Sequence, residues 1–314
     1  LLIPIFMMVL RREHIPFAIG AFMGSMVLSC TLSFLIWVRV EPALFKLDGA
    51  GDPIPFMGRI SYAPYLTIAI YICLFDIFLN AEANGRTKVM AAAMAAAMTC
   101  VLFVSNGRAG QVMFLVMVAI VIFQHQRQHL MRAAIISAIV LPAVMTVAYK
   151  ASDQFSNRIN AAITDVEQLK KDNKNTSVGQ RITFARNSFE IICEHPVFGV
   201  GTGDFKNEYA QVNQRNSPGM PATVQPHDMY LLEMAQFGIF GLASLLWILY
   251  SQIRIAVRSS DPLQHRFGLA LALLFAVIMF SDSYLLGHFT TMLFIFFSSI
   301  LYRQGTETDQ STQK

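Results

Sequence analysis

The sequence predicts an all-α, polytopic helical membrane protein, and three observations carry that prediction. Of the 314 residues, 54% are hydrophobic and only 14% are charged, with a mean hydropathy of +0.48. Soluble domains carry about 25% charged residues. Apolar runs approaching the ~20 residues that cross a hydrocarbon core recur along the chain. Basic residues concentrate in every second short loop between those runs, the pattern left by threading through a membrane. The same composition excludes a disordered chain and a nucleic-acid binder, because the net charge is only +4 and the basic residues are scattered. Cys30, Cys73, Cys100 and Cys193 are too widely spaced for a metal site or a disulfide framework.

The apolar runs cover residues 1–10, 15–38, 62–80, 89–105, 112–124, 133–149, 229–250, 267–285 and 289–302. The chain opens at Leu1 inside the first run, with neither an initiator Met nor the basic n-region of a signal peptide. The expectation is therefore that N-terminal spans are missing. Residues 112–124 form the weakest run, and only 106–111 separate it from its predecessor, which makes a tight helical hairpin. One set of short loops holds Arg11, Arg12, Arg86, Lys88, Arg127, Arg132, Arg254, Arg258, Arg266 and Arg303; the alternate set holds Arg39, Lys46, Arg59 and Arg108. The richer set faces the cytoplasm. The turn at 106–111, the long segment 150–228 and the turn at 282–288 then share the outer face. The expected organisation is membrane helices over 1–149, a large periplasmic helical loop over 150–228, membrane helices over 229–303 and a disordered cytoplasmic tail over 304–314.

A loop as long as 150–228 is uncommon without a function. Phe155, Ile159, Ala162, Ile163, Val166 and Leu169 recur at helical spacing, and Val178, Ile182, Ala185, Phe189 and Ile192 do so again. Glu194-His195-Pro196 ends the second of these helices, and residues 204–212 form a third. Gly199, Gly201 and Gly203 lie between them. They resemble a dinucleotide fingerprint only superficially, with no strand before them and no acidic partner at the right spacing after, so they read as a tight turn. The segment reads as an amphipathic cap whose apolar stripe packs on the bundle or on lipid.

Arg108 is the sharpest single signal. It sits in Ser-Asn-Gly-Arg-Ala-Gly-Gln between two apolar runs, where an arginine costs several kcal/mol unless it finds a partner or water. It is either a snorkelling interface residue or an anion clamp whose planar fork matches phosphate. Gly107 and Gly110 would let backbone approach a ligand there. His227, at the entry of a span, can serve as general base or orient a hydroxyl, or simply satisfy a helix end. Asp228 reads as the helix cap; Glu233 and Gln236 read as polar glue within the bundle. Arg181 and Arg186 lie on one loop helix and are either phosphate partners or solvated charges. His195 reads as structural. Asp76 is a lone carboxylate within a span that lines a cavity or meets an arginine, and Asp282 and His288 can edge the outer cavity. No HExxH, paired-carboxylate or Cys/His motif marks the outer face, so no metal site is predicted. An enzyme acting there must receive its energy with an activated substrate.

These residues together resemble a known family. Arg108 in a short outer turn, Arg181, the run His195-Pro196-Val197-Phe198-Gly199-Val200-Gly201-Thr202-Gly203-Asp204-Phe205, then His227-Asp228-Met229-Tyr230-Leu231 and Phe237-Gly238-Ile239-Phe240-Gly241 look like the O-antigen ligase and polymerase superfamily. Within it the chain most resembles the O-antigen ligase, over residues 101–241. Where many members have Asn after the histidine, this chain has Asp228.

The resemblance implies a membrane glycosyltransferase of GT-C type in the bacterial inner membrane, with roughly a dozen helices and a large periplasmic loop. It implies transfer of a glycan from undecaprenyl pyrophosphate to a sugar hydroxyl of lipid A–core, in lipopolysaccharide biosynthesis. In that reading Arg108 and Arg181, helped by Arg186, bind the pyrophosphate, and His227 takes the acceptor proton. Transfer inverts the anomeric centre and needs no metal or other cofactor. An O-antigen polymerase or a protein O-oligosaccharyltransferase would use the same donor. A carrier of lipid-linked glycans is the alternative of another class. It would place charges along a midplane path, whereas the charges here cluster at one face.

Overall fold

A computed structural model describes residues 2–9, 12–38, 53–105, 107–171 and 173–303. Leu1, Leu10, Arg11, Arg39, Lys46, Asn106 and the expected tail 304–314 lie outside the described residues. Among the described residues the regular structure is helical. In order it comprises α1 (Leu2–Val9), α2 (Ile15–Trp37), α3 (Arg59–Phe78), α4 (Gly85–Val104), α5 (Arg108–His125), α6 (Leu130–Ala151), α7 (Asp153–Lys170), α8 (Ser177–Glu194), α9 (Phe205–Asn216), α10 (Met229–Arg258), α11 (Pro262–Ile278) and α12 (His288–Leu301). Six of them, α2 to α6 and α10, are long and apolar enough to cross a membrane. The chain is thus a polytopic helical membrane protein.

Several expected spans change shape. The weak run at 112–124 becomes an 18-residue helix, because α5 starts at Arg108 just after Gly107. The run at 267–285 ends early: α11 stops at Ile278, and the chain turns through Ser281, Asp282 and Ser283 before α12. Helix α12 has only 14 residues. At ~1.5 Å per residue it extends about 21 Å, less than the ~30 Å of a hydrocarbon core. The run at 229–250 continues to Arg258 but is interrupted at Gly238, whose φ of 62° and ψ of −152° are not helical.

One end of the bundle gathers the helix ends that matter for chemistry. The Met229 amide at the start of α10 donates to the Met279 carbonyl just past α11, at 2.8 Å. Near the start of α3, the Tyr65 hydroxyl donates to Phe289 at the start of α12, also at 2.8 Å. Ser152, the N-cap of α7, donates to Phe103 at the end of α4 at 3.1 Å. Gly110 lets α5 close on α3: a Cβ there would come within 2.8 Å of the Ala63 Cβ. This glycine serves helix packing rather than the ligand approach expected of it.

Helices α7, α8 and α9 stand between α6 and α10. Phe155 packs edge-on against Phe103, with centroids 5.4 Å apart. The apolar stripe expected on α8 divides: Ile182 and Phe189 face outward, 51% and 60% exposed, while Ile192 is buried. The buried face carries Thr183, Phe184, Asn187, Ser188, Ile191 and Ile192. Hydrogen bonding explains the choice. The Asn187 side-chain amide donates to the Tyr209 hydroxyl at 3.2 Å and to the Asn213 side-chain oxygen at 3.3 Å, locking α8 to α9.

The turn after α8 docks on the break in α10. Val200 donates to the Ala235 carbonyl, Gly201 to Gln236 and Ile239 to Pro196, each at 2.9 Å. Gly199 and Gly238 face each other across this contact. A Cβ on Gly199 would strike the Gln236 backbone, and one on Gly238 would strike the Val197 carbonyl. Gly238 also occupies a backbone region essentially closed to other residues, with strain of roughly 1–3 kcal/mol. Gly238→Ala is therefore expected to lose at least that much stability, read as a lowered melting temperature in detergent; Gly219→Ala, with open space around it, should melt like the unsubstituted protein.

Candidate functional site

The polar cluster at this end forms where the start of α10, the turn after α11 and the buried face of α8 converge. His227 precedes α10 with a φ of 56°, a left-handed conformation uncommon outside glycine. Such strain concentrates at functional sites. Its Nδ1 lies 3.3 Å from Oδ1 of Asp282. Asp282 is almost fully buried and also accepts from the Ser283 amide at 2.8 Å. The other face of the problem is ring packing: Phe184 of α8 stacks on the imidazole, with centroids 5.9 Å apart and planes 24° apart. A carboxylate on Nδ1 favours the tautomer with the proton there, which leaves Nε2 as the acceptor.

Asp228 is the α10 cap, as its place in the sequence implies: its Oδ1 accepts from the Leu231 amide at 3.0 Å. Burial pushes its carboxyl above the usual carboxylate range, and the amides of Leu231 and Tyr230 oppose that. Tyr284 lies buried beside Asp282. Burial and then the Asp282 charge push its phenol up, while the charge of Arg181 pulls it down. Arg181 is thus within electrostatic reach of Tyr284, the neighbour of Asp282. Both arginines are exposed; Arg186, five positions further along α8 and two past Phe184, lies away from the histidine face.

Arg108 stands at the first position of α5 and pairs with Asp165 of α7, nitrogen to oxygen 3.6 Å. Gln111, one turn on, is buried with its side-chain nitrogen unpartnered among the described residues. The remaining sequence candidates separate. His195 ends α8, and its carbonyl accepts from the Gly199 amide at 3.1 Å. Glu233 and Gln236 are half-buried within α10. His288 is exposed at the start of α12, its ring 4.0 Å from that of Phe289. Asp76 lines a cavity near the opposite end and accepts from the Asn80 amide at 3.0 Å; its hydrogen-bond partner is not an arginine. Sequence reasoning missed Asp165 and Phe184 and gave Asp282 little weight. Asp165 has the spacing of an ordinary solvated charge, and Phe184 lies off the apolar stripe.

Fold and site together define a multi-pass membrane protein with a histidine–carboxylate pair and arginines gathered at one end. Residues 92–247 match the family model described as O-antigen ligase. That stretch is similar to the O-antigen ligase superfamily, whose members are glycosyltransferase-like enzymes. An uncharacterized protein of Haemophilus influenzae is 28% identical over 224 residues, covering 67% of this chain and 55% of that protein. The chain spans about half the length of this curated relative.

The cap at Asp228 has a direct test. Asp228→Ala is expected to cost about 1 kcal/mol of stability through the lost cap. Asp228→Asn keeps an acceptor for Leu231 without burying a charge, and should melt no lower than the unsubstituted protein.

Proposed function

We propose that the protein is an O-antigen ligase. It transfers a glycan from undecaprenyl pyrophosphate to a sugar hydroxyl of lipid A–core, on the periplasmic face of the bacterial inner membrane. The observation that carries this reading is the histidine held on two sides, by Asp282 at 3.3 Å and by the Phe184 ring. That pairing leaves Nε2 to receive the acceptor proton. Helix α8, which supplies Phe184, also supplies Arg181 within electrostatic reach of the same cluster.

The step balances as a single displacement. The acceptor oxygen bonds to the anomeric carbon as its proton passes to His227 Nε2. The bond from that carbon to the pyrophosphate oxygen breaks, and the pyrophosphate leaves with the electron pair. Attack opposite the leaving group inverts the anomeric centre. Charge grows on the pyrophosphate as the bond breaks, so cationic donors aimed at it stabilise the transition state most. Arg181 and Arg108 fill that role through charge-assisted hydrogen bonds, and Arg186, on the other side of α8, contributes less. Two guanidinium groups can do the work of a metal ion, so transfer proceeds without one. Asp282 positions His227 and stabilises the imidazolium that forms, without touching substrate. The polyprenyl tail lies along the apolar groove of about 580 Å³ between α2, α3 and α12, which Tyr65 and Met292 line close to the outer turn. Helices α7 to α9 form the periplasmic cap over the acceptor.

The experiment is transfer in EDTA with purified protein, undecaprenyl-pyrophosphate glycan and lipid A–core. His227→Ala should lower turnover by about 10²–10⁴-fold, the usual contribution of a general base, in a protein that still unfolds cooperatively. Asp282→Asn should lower kcat with little effect on the KM for donor. Arg108→Ala should abolish transfer while the protein remains folded. Unchanged turnover in His227→Ala would refute the base. Transfer to a second lipid-linked repeat or to a protein hydroxyl, but not to lipid A–core, would assign a polymerase or a protein O-oligosaccharyltransferase instead.

A further inference from the structure

At the other end of the bundle a groove of about 550 Å³ opens between α5 and α11. It differs from the remaining apolar grooves in how its charges are placed. Its walls are apolar, with Val116, Ile120 and Phe123 on α5 facing Leu269, Leu273 and Val277 on α11. Phe123 and Val277 are 40% and 44% exposed, so the groove opens sideways rather than into the bundle. At one end alone it meets polar side chains: Gln124, Arg127, His265 and Arg266. No acidic residue lines it. From Arg266 to Val277 the helix rises roughly 17 Å at ~1.5 Å per residue. One leaflet of hydrocarbon is about 15 Å deep, half of the ~30 Å core.

The basic end is built, not incidental. The Arg266 guanidinium donates to the Leu79 carbonyl at the end of α3. The Gln124 amide donates to the Arg266 carbonyl at 2.7 Å, tying α5 to α11 across the floor of the groove. The His265 ring is held to the Ala256 carbonyl at 3.0 Å. Arg127 lies just past α5, exposed, and forms no ion pair among the described residues. Two cations thus stand where a headgroup phosphate would lie when an acyl chain fills the apolar channel. Basic pockets between membrane helices bind anionic headgroups in this manner.

We propose that this groove is a binding site for an anionic diacyl phospholipid of the leaflet at the basic end of the bundle, with one acyl chain between α5 and α11 and the phosphate on Arg127 and Arg266. The site is separate from the histidine cluster and does not depend on the function assigned to it. The lipid fastens α5, which begins at Arg108, to α11, which ends at the turn carrying Asp282. It is therefore a structural lipid shared by the two helices that reach both polar clusters.

The test uses the full chain in nanodiscs of phosphatidylcholine doped with phosphatidylglycerol, extracted gently and weighed by native mass spectrometry. Phosphatidylglycerol should be retained in preference to phosphatidylcholine. Arg127→Gln should weaken its retention about five-fold, the effect of one basic residue near a charged headgroup, and Arg127→Lys should restore most of it. Leu273→Trp, which fills the channel, should lower retention of both lipids. Each variant is first melted in phosphatidylcholine alone to confirm that it is folded. Equal retention of the two lipids, or undiminished phosphatidylglycerol in Arg127→Gln, would overturn the proposal. So would displacement of the lipid by inorganic phosphate alone, which would mean an anion site without an acyl channel.

Discussion

The arrangement at the polar end depends on two backbones meeting without side chains between them, at Gly199 and Gly238. A break in a membrane helix frees amides and carbonyls, and each costs several kcal/mol if left in hydrocarbon. Here the turn after α8 replaces what the break removes. In an unbroken helix the Ile239 amide would bond to Ala235 and the Phe240 amide to Gln236. Instead Ile239 donates to Pro196, while the Ala235 and Gln236 carbonyls accept from Val200 and Gly201. The exchange is reciprocal, so neither the turn nor the broken helix is satisfied alone. Only glycine permits the approach, since a Cβ on either side would lie inside the partner's backbone.

That contact fixes α8 relative to α10, and the cluster follows from it. Phe184 is brought under the imidazole, and the Arg181 charge within reach of Tyr284. The bond between Met229 and Met279 sets the other half, because it holds the start of α10 against the turn that carries Asp282. Arg108 is placed by a different interface, the close packing of Gly110 on Ala63, and is already partly neutralised by Asp165. The Arg108 side chain is 35% exposed in that pair. Asp165 is only 18% exposed, and at 3.6 Å the contact is longer than a hydrogen bond, so the arginine keeps donors free. An incoming phosphate, carrying more charge and matching the guanidinium fork, can take the arginine from it.

Much of this was legible in the sequence, and the failures have physical causes. Apolar period and turn residues located the helices, and the Asp228 cap was readable from its place before an apolar run. The break at Gly238 was not, because one glycine in a long apolar run looks like a tolerated helix residue; only the partner turn, some forty residues upstream, makes it a break. The end of α11 was hidden by Phe280, Tyr284 and Leu285, which extend the apolar run through a turn that also carries Asp282. Only Ile192 of the stripe read on α8 lies on its inward face, because half of that face is polar. Asn187 bonds to Tyr209 and Asn213, and an apolar periodicity finds only the Phe184, Ile191 and Ile192 part of such a face.

The same division of α8 explains why its two arginines part company. With a half-polar face turned inward, Ile182, Arg186 and Phe189 recur at spacings of four and three on the outward side. That side continues into Phe198, which stacks on Phe240 of α10 at 5.8 Å and leaves both rings largely exposed. Exposed apolar side chains thus stand on the outward face of α8 and on the outer surface of α10, on both sides of the glycine contact. Arg181 lies off the line of Ile182 and Phe189, and Arg186 on it. Both arginines are exposed, but Arg186 is flanked by exposed apolar side chains, while the Arg181 charge reaches the Tyr284 phenol. The helix separates two chemically identical groups by burying the Asn187 hydrogen bonds beside Phe184 and Ile191 and turning Ile182 and Phe189 outward.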